Sequence, residues 1–419
     1  MADRVRSVNI AFSPAELAAF MANQPGFVFL DSSLASGEAI SILGADPREI
    51  LTGGIEDFPL LRDRLARQSI DVGDCGLPVG AMIGWVAFDG RFRFGVYGDL
   101  LVYIHRTGEW RAVGNPNIPQ VQRVRGSHKA PHFSPEISRD RFCSMVQRAK
   151  DYIAAGDIYQ VCLAHRFSSP FSGEPWPFYE SLRHYSPAPY AAYLSLGDTT
   201  VLSASPENFL EISGRTVSTR PIKGTRPRRA DADADERSAY ELITSPKEIA
   251  ELVMITDLER NDLGRICEYG SVHVADLLRL ERYEQVFHLV STVRGTLRPE
   301  VSHVDALAAC FPGGSISGAP KKRALEIIAE LEPAPRGIYT GAIGYFGFNG
   351  ESRFNIAIRT VVIENGIASF HAGAGIVADS IPGMEWQETL DKASGILLAA
   401  ARMNASEPSR PAPRGALQD

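Results

Sequence analysis

The chain of 419 residues is 44% hydrophobic and 22% charged, the composition of a soluble globular protein too long for one simple core. Its net charge of −7 withholds the basic field that nucleic-acid binding needs. Five scattered cysteines (Cys75, Cys143, Cys162, Cys267 and Cys310) lack C-x-x-C spacing, which argues against a zinc site or a disulfide frame and predicts a reducing compartment. The opening "MADRVRSVNIAFSPAEL" has no cleavable leader, and no apolar run is long enough to span a bilayer, so a cytoplasmic protein without membrane contact is expected.

Residues 1–112 alternate short apolar runs with turns. "GAMIGWVAFDGRFRFGVYGDLLVYIHRTGEW" predicts successive strands broken at Asp89-Gly90 and Gly98-Asp99. Residues 113–135 are polar and proline-broken, a connector. Phe142, Met145, Val146, Ala149 and Ile153 then recur at helical steps. After Gly156, "IYQVCLAHRF" reads as a strand, and alternation would put Gln160 on one face with Ile158 and Cys162.

"STRPIKGTRPR" (218–228) sets one lysine, Lys223, among arginines. By itself it is open to three readings: a solvated loop, a phosphate or nucleic-acid patch, or a lysine whose amine reacts. The net charge disfavours the second, and a solvated loop is the ordinary fate of such a lysine. "TSPKEIAELVMITDLERNDLGR" opens with Ser245, Pro246 and Glu248 in capping-box spacing, and Glu248 and Glu251 share a helix face. "FPGGSISGAPKKRALEII" lacks the Lys-Ser/Thr of a nucleotide loop, although amides exposed at that helix start could hold a carboxylate. "TGAIGYFGFNGESRFNIAIRTVVIENGIASFHAGAGIV" has Asn349-Gly350 and Asn365-Gly366 between strand-formers and predicts a three-stranded antiparallel meander. "GMEWQETLDKASGILLAAARM" lines up Glu385, Glu388 and Lys392 on one helix stripe. Two helices bearing carboxylates at the same step could face each other across Mg²⁺, a hard cation that takes few protein oxygens. Residues 404–419 read as a disordered tail. The coarse fold is α+β, with antiparallel strands covered by helices.

"SASPENFL", "RPIKGTRPR", "KEIAELVMITDLERNDLGR", "FPGGSISGAPKKRALEII", "AGAGIVADS" and "EWQETLDKA", in that order, resemble the chorismate-utilising enzymes. That family includes component I of anthranilate synthase and of aminodeoxychorismate synthase, and the isochorismate and salicylate synthases. The likeness covers residues 136–403 as a catalytic domain; residues 1–112 are only loosely similar to the N-terminal region of the first two branches. It implies two large antiparallel sheets packed as a sandwich with helices outside. It also implies that Glu251 and Glu388 bind Mg²⁺, with Glu248 and Glu385 at or beside that site. Gly373, Gly375, Tyr339, Arg359 and Lys392 match positions that hold the substrate's carboxylates, and His288 matches a histidine near the ring. Glu207 matches the general acid that protonates the departing 4-hydroxyl. Gln160 stands where water-activating branches carry a lysine, which disfavours addition of water.

Lys223 resembles the aminodeoxychorismate branch, "PIKGT", where the anthranilate branch has "PIAGT". That likeness implies a nucleophilic amine, and Arg220, Arg226, Arg228 and Arg229 are expected to help keep it neutral. The resemblance implies conversion of chorismate and ammonia to 4-amino-4-deoxychorismate, for 4-aminobenzoate and folate synthesis. Anthranilate synthesis is the alternative within the family, and a non-catalytic partner-binding subunit the alternative outside it. No cysteine sits in a G-x-C-x-G elbow and no H-x-E pair occurs, so a separate glutamine amidotransferase is expected to supply ammonia. No lyase-like segment follows residue 403, so release of 4-aminobenzoate would need another enzyme.

Overall fold

The structure is a computed structural model that describes residues 4–34, 39–71, 76–118, 130–283 and 286–403. Residues 119–129 of the expected connector, the expected tail and Cys75 lie outside the described residues. The four described cysteines are free, and no described helix is long and apolar enough to cross a membrane.

Two antiparallel sheets, of twelve and ten strands among the described residues, form the body. Val28, Ile42, Leu194 and Val201 of the larger sheet meet Ala81, Ile83, Ile343 and Tyr345 of the smaller one in one buried cluster, so the sheets pack face to face. Helices cover the outside. Pro14–Met21, Trp176–Tyr185 and Pro382–Arg402 pack on the larger sheet, and Phe58–Gln68 and His303–Cys310 on the smaller. The α+β sandwich expected from the sequence is the fold observed.

Strands from both sides of residue 112 share each sheet. Val28–Asp31 pairs with Tyr190–Leu196, and Ala81–Val86 with Ala342–Gly347. The strands expected in the stretch from Gly80 to Trp110 form, but the chain changes sheet at Gly98-Asp99: Ala81–Val86 pairs with Phe92–Tyr97 in one sheet, and Leu100–Ile104 with Glu109–Val113 in the other. The expected three-stranded meander is corrected in the same way. Ala342–Gly347 and Glu351–Ile356 make a hairpin in the smaller sheet, and Thr360–Glu364 and Ile367–Ile376 a second hairpin in the larger. Turn residues fix each hairpin locally, whereas its sheet depends on distant partners.

Two such crossings shape the molecule's centre. The chain leaves the larger sheet after Ser205 and enters the smaller at Asn208; it returns between Ile356 and Thr360. The crossings are tied together: Ile356 N donates to Glu207 O (3.1 Å), Ala204 N to Arg359 O (3.0 Å), and Ser205 Oγ to Ile356 O (2.6 Å). Arg359 takes a left-handed φ of 49°, unusual for a non-glycine residue. Glu207 and Arg359 are therefore held by backbone on a rigid seam.

Candidate active site

Beside this seam lies a cavity of about 560 Å³, within the range of small-molecule sites. Both sheets and both carboxylate helices wall it. Of the residues singled out in the sequence, Glu207, Lys223, Glu248, Glu251, His288, Tyr339, Arg359, Gly373, Gly375, Glu388 and Lys392 all line it. Gln160 and Glu385 do not. Gln160 is fully buried one layer behind the wall, where a Cβ added at Gly375 would come within 2.9 Å of its Nε2. It shares its strand face with Cys162, its Nε2 lying 3.9 Å from Sγ. Ile158 does not join them, because the strand begins only at Gln160 and Ile158 packs with Val161 and Leu163.

Lys223 sits in the strand Ile222–Pro227, paired with Val286–Thr296. The register slips between Lys223 and Thr225, and Gly224 there has φ 75°. A side chain at Gly224 would meet Leu242 Cδ1 at 2.5 Å, so glycine makes this bulge possible. The lysine lies in the cavity wall, its side chain only 17% exposed and its Nζ 3.8 Å from Glu251 Oε2.

The arginine expectation is overturned. Arg220 pairs with Glu281 and Arg228 with Asp235; Arg226 lies 3.6 Å from Glu248 Oε1 and bonds the Thr225 carbonyl. Burial pushes the Lys223 pKa down, but Cys162 and the carboxylates of Glu251, Glu207 and Glu388 outweigh it, and the net displacement is upward. The resting amine is an ammonium.

The helix Pro246–Gly264 starts as its sequence dictates, with Pro246 at its first position and Ser245 Oγ accepting from Glu248 N at 3.4 Å. The reciprocal half of the capping box is missing, because the Glu248 carboxylate turns to Arg226 and the cavity. Glu251, one turn on, has its pKa raised by burial and by Glu248 and Glu388, against Lys223 and Lys247. On the helix Pro382–Arg402, burial works on Glu388 in the opposite sense to Lys392, 2.7 Å away, and the lysine prevails to lower its pKa. Glu385 is buried behind it with Oε2 unpartnered. Glu248, Glu251 and Glu388, from the two carboxylate helices, bring to the cavity wall hard-oxygen donors of the kind Mg²⁺ takes, with Glu385 behind them. Among the described residues no three acidic, His or Cys side chains are already gathered tightly enough to hold a metal by themselves.

Glu207 is 6% exposed, and burial raises its pKa against Ser315, Lys223 and the Ile222 backbone. His288 is held by a 3.0 Å contact between Nδ1 and Thr225 Oγ1; burial and the Arg359 charge lower its pKa to about 4, so the ring is neutral. The Arg359 guanidinium has no ion-pair partner among the described residues, and burial lowers its pKa. An unpaired, desolvated guanidinium in a cavity wall calls for an anion. At Gly373 a Cβ would sit 2.7 Å from Leu163 O and 3.0 Å from the Tyr339 hydroxyl, and Lys392 Nζ donates to its carbonyl at 2.9 Å.

The loop before the Lys321–Leu331 helix departs from expectation. Residues 314–319 are buried, and the Gly314 amide does hold a carboxylate, but the protein's own: Glu259 Oε1, at 3.2 Å. Sequence reading also missed Lys247, Asp391, Cys162, Ser315 and His371 in the wall. Lys247 and Asp391 carried a usable signal, each flanking a singled-out helix residue; His371 carried none.

The sequence profile of the chorismate binding enzymes matches residues 82–398. The chain belongs to this family. It is 48% identical over 282 residues to anthranilate synthase component 1 of Thermus thermophilus, covering 67% of this chain and 61% of that relative. It is 47% identical over 264 residues to aminodeoxychorismate synthase component 1 of Bacillus subtilis, covering 63% and 56%. The chain thus spans about three fifths of the length of these curated relatives. The crystal structure of anthranilate synthase component I from Streptococcus pneumoniae superposes with a TM-score of 0.73 at 30% identity, covering 95% of this chain and 93% of that one.

Proposed function

We propose that this chorismate binding enzyme is an aminodeoxychorismate synthase component I, joining ammonia to chorismate to give 4-amino-4-deoxychorismate. One observation carries the choice of branch: a primary amine, Lys223, stands in the wall of a cavity shared with the buried acid Glu207 and the unpaired Arg359. In this reading Arg359, Lys392 and the Gly373–Gly375 backbone hold the substrate's carboxylates. The Lys223 amine, once deprotonated, bonds to ring C2, and the electron shift expels the 4-hydroxyl as water on the proton of Glu207. Ammonia then bonds to C4 and expels the lysine amine from C2. Glu251 and Glu388, with Glu248 and Glu385 beside them, would hold Mg²⁺, which when bound supplies positive charge to a substrate carboxylate. Ammonia would come from a separate glutamine amidotransferase.

The test is a product assay with purified protein, chorismate, Mg²⁺ and ammonium. The reading expects a product that becomes 4-aminobenzoate only after a lyase is added. Fluorescent anthranilate as the main product would overturn the branch, and identity of 47–48% to relatives of both names leaves that outcome open to experiment.

A further inference from the structure

One buried carboxylate lies outside the lining of the catalytic cavity and yet is built into its support. Glu259 is on the helix Pro246–Gly264, two turns beyond Glu251 and about 12 Å along the axis, and is 4% exposed. Its Oε1 accepts from the Gly314 amide at 3.2 Å and its Oε2 from the Thr219 hydroxyl at 3.3 Å. Burial and Asp262 hold its pKa up at about 7, and the Glu207 charge adds to the rise against Lys321. A carboxyl in that state costs the fold stability, the mark of a residue kept for function.

Both of its donors lead to Glu207. The Ser315 hydroxyl and the Ile222 amide donate to the Glu207 carboxyl, and both oppose the burial that raises its pKa. Ser315 directly follows Gly314 in the short turn Gly314–Ile316. Ile222 stands three residues after Thr219, across Pro221, where the strand Thr216–Arg220 gives way to Ile222–Pro227. Glu259 therefore ties together the two segments that hold Glu207, one carboxylate oxygen to each. The turn has other fastenings: Arg336 Nη1 donates to Ile316 O at 3.1 Å, and Ser317 Oγ to Gly313 O at 2.9 Å. Neither of these bonds the segment of Ile222.

We infer that Glu259 is a positioning residue for Glu207, fixing the Ser315 and Ile222 donors that receive the carboxylate as its proton leaves. Its role rests on the reading of Glu207 as the acid that protonates the departing hydroxyl. During that transfer a neutral carboxyl becomes an anion, and hydrogen bonds to an anion are stronger than those to a neutral group. Donors already in place thus stabilise the transition state more than the ground state. Slack in either segment should lower kcat and leave chorismate binding nearly untouched.

The test is a double-mutant cycle on the initial rate of chorismate consumption, with Mg²⁺ and ammonium saturating. Glu259→Leu removes both acceptors and should lower kcat about tenfold, the worth of roughly one hydrogen bond, with the KM for chorismate within about twofold. Glu259→Gln keeps an acceptor for Gly314 and offers Thr219 a donor, so it should recover most of the loss. In a Glu207→Gln background, where no proton leaves, Glu259→Leu should change kcat by less than about twofold. A tenfold loss in both backgrounds would mean a general disturbance of the site and overturns the positioning role, as does an unchanged kcat in Glu259→Leu. Thr219→Val cuts one tie and keeps the shape; it runs the same cycle if Glu259→Leu folds poorly, with a loss of about threefold expected and the same criterion. If Glu207→Gln retains the wild-type rate, the reading of Glu207 as the acid fails instead, and the role of Glu259 with it.

Discussion

Glu259 offers a direct test of the site's electrostatics. It is 4% exposed, accepts from Gly314 N at 3.2 Å and from Thr219 Oγ1 at 3.3 Å, and burial with the nearby Asp262 raises its pKa from 4.5 to about 7. Lys321 opposes the shift, but its Nζ is engaged by Asp262 at 2.5 Å. Between those two pKa values the unfolded chain sheds a proton that the folded chain keeps. Wild-type stability at this position therefore falls as pH rises from about 4.5 to about 7 and is flat above. Glu259→Gln cannot ionise. The variant should gain on wild type by about 2–3 kcal/mol between pH 5 and pH 8, on top of a pH-independent loss of about 1 kcal/mol for one altered hydrogen bond. Urea unfolding of both proteins across that range measures the difference. A gap that does not change with pH would show that Glu259 is ionised at pH 5 and that the buried cluster is organised differently.

Other perturbations probe neighbouring parts. Glu207→Gln should lower turnover by about 10²–10⁴-fold with little change in chorismate KM, measured by steady-state product formation. Arg336→Met should cost about 3–5 kcal/mol in thermal or urea unfolding, because it strands the Glu332 carboxylate, whose side chain is 5% exposed; adding Glu332→Met should recover most of the loss. Gly373→Ala should weaken chorismate binding and cost about 1–3 kcal/mol, since its Cβ would press on Leu163 O at 2.7 Å and Ala164 Cβ at 2.9 Å, atoms of the adjacent strand that cannot swing aside. Calorimetric titration with chorismate and a melting curve would read the two effects separately.

What the sequence disclosed here follows the range of each interaction. The helix faces carrying Glu248, Glu251, Glu385 and Glu388 were legible because helical periodicity is local, and the Asn-Gly turns located both late hairpins for the same reason. The assignment of those hairpins to different sheets was not legible, since it depends on partners such as Ala81–Val86 and Thr199–Ser205. The charge state of Lys223 was misjudged on similar grounds. Its arginine neighbours Arg220, Arg226 and Arg228 lie against Glu281, Glu248 and Asp235, while the carboxylates that govern it arrive from three other segments. Glu259 and His371 gave no sign, because a buried glutamate in a helix and a histidine in a strand look ordinary until their surroundings are known.

The charges around the cavity say what it is built to receive. Among the described lining residues, Glu207, Glu248, Glu251, Glu388 and Asp391 face Lys223, Arg226, Lys247, Arg359 and Lys392, so the formal balance is zero, or one positive with Glu207 protonated. A substrate with two carboxylates entering alone would leave the wall one or two charges negative in a partly desolvated space, which is unfavourable. A divalent cation bound alongside restores the balance, and it also relieves the repulsion among Glu248, Glu251 and Glu388 that raises the Glu251 pKa. Chorismate affinity should therefore fall at least about tenfold when Mg²⁺ is withdrawn with a chelator, and the Glu388→Gln variant should depend less on the metal. Calorimetry with and without Mg²⁺ tests this directly. Equal affinity in both conditions would mean that the wall's cations alone balance the substrate, and that Glu251 and Glu388 serve to hold Lys223, Lys247 and Lys392 in place.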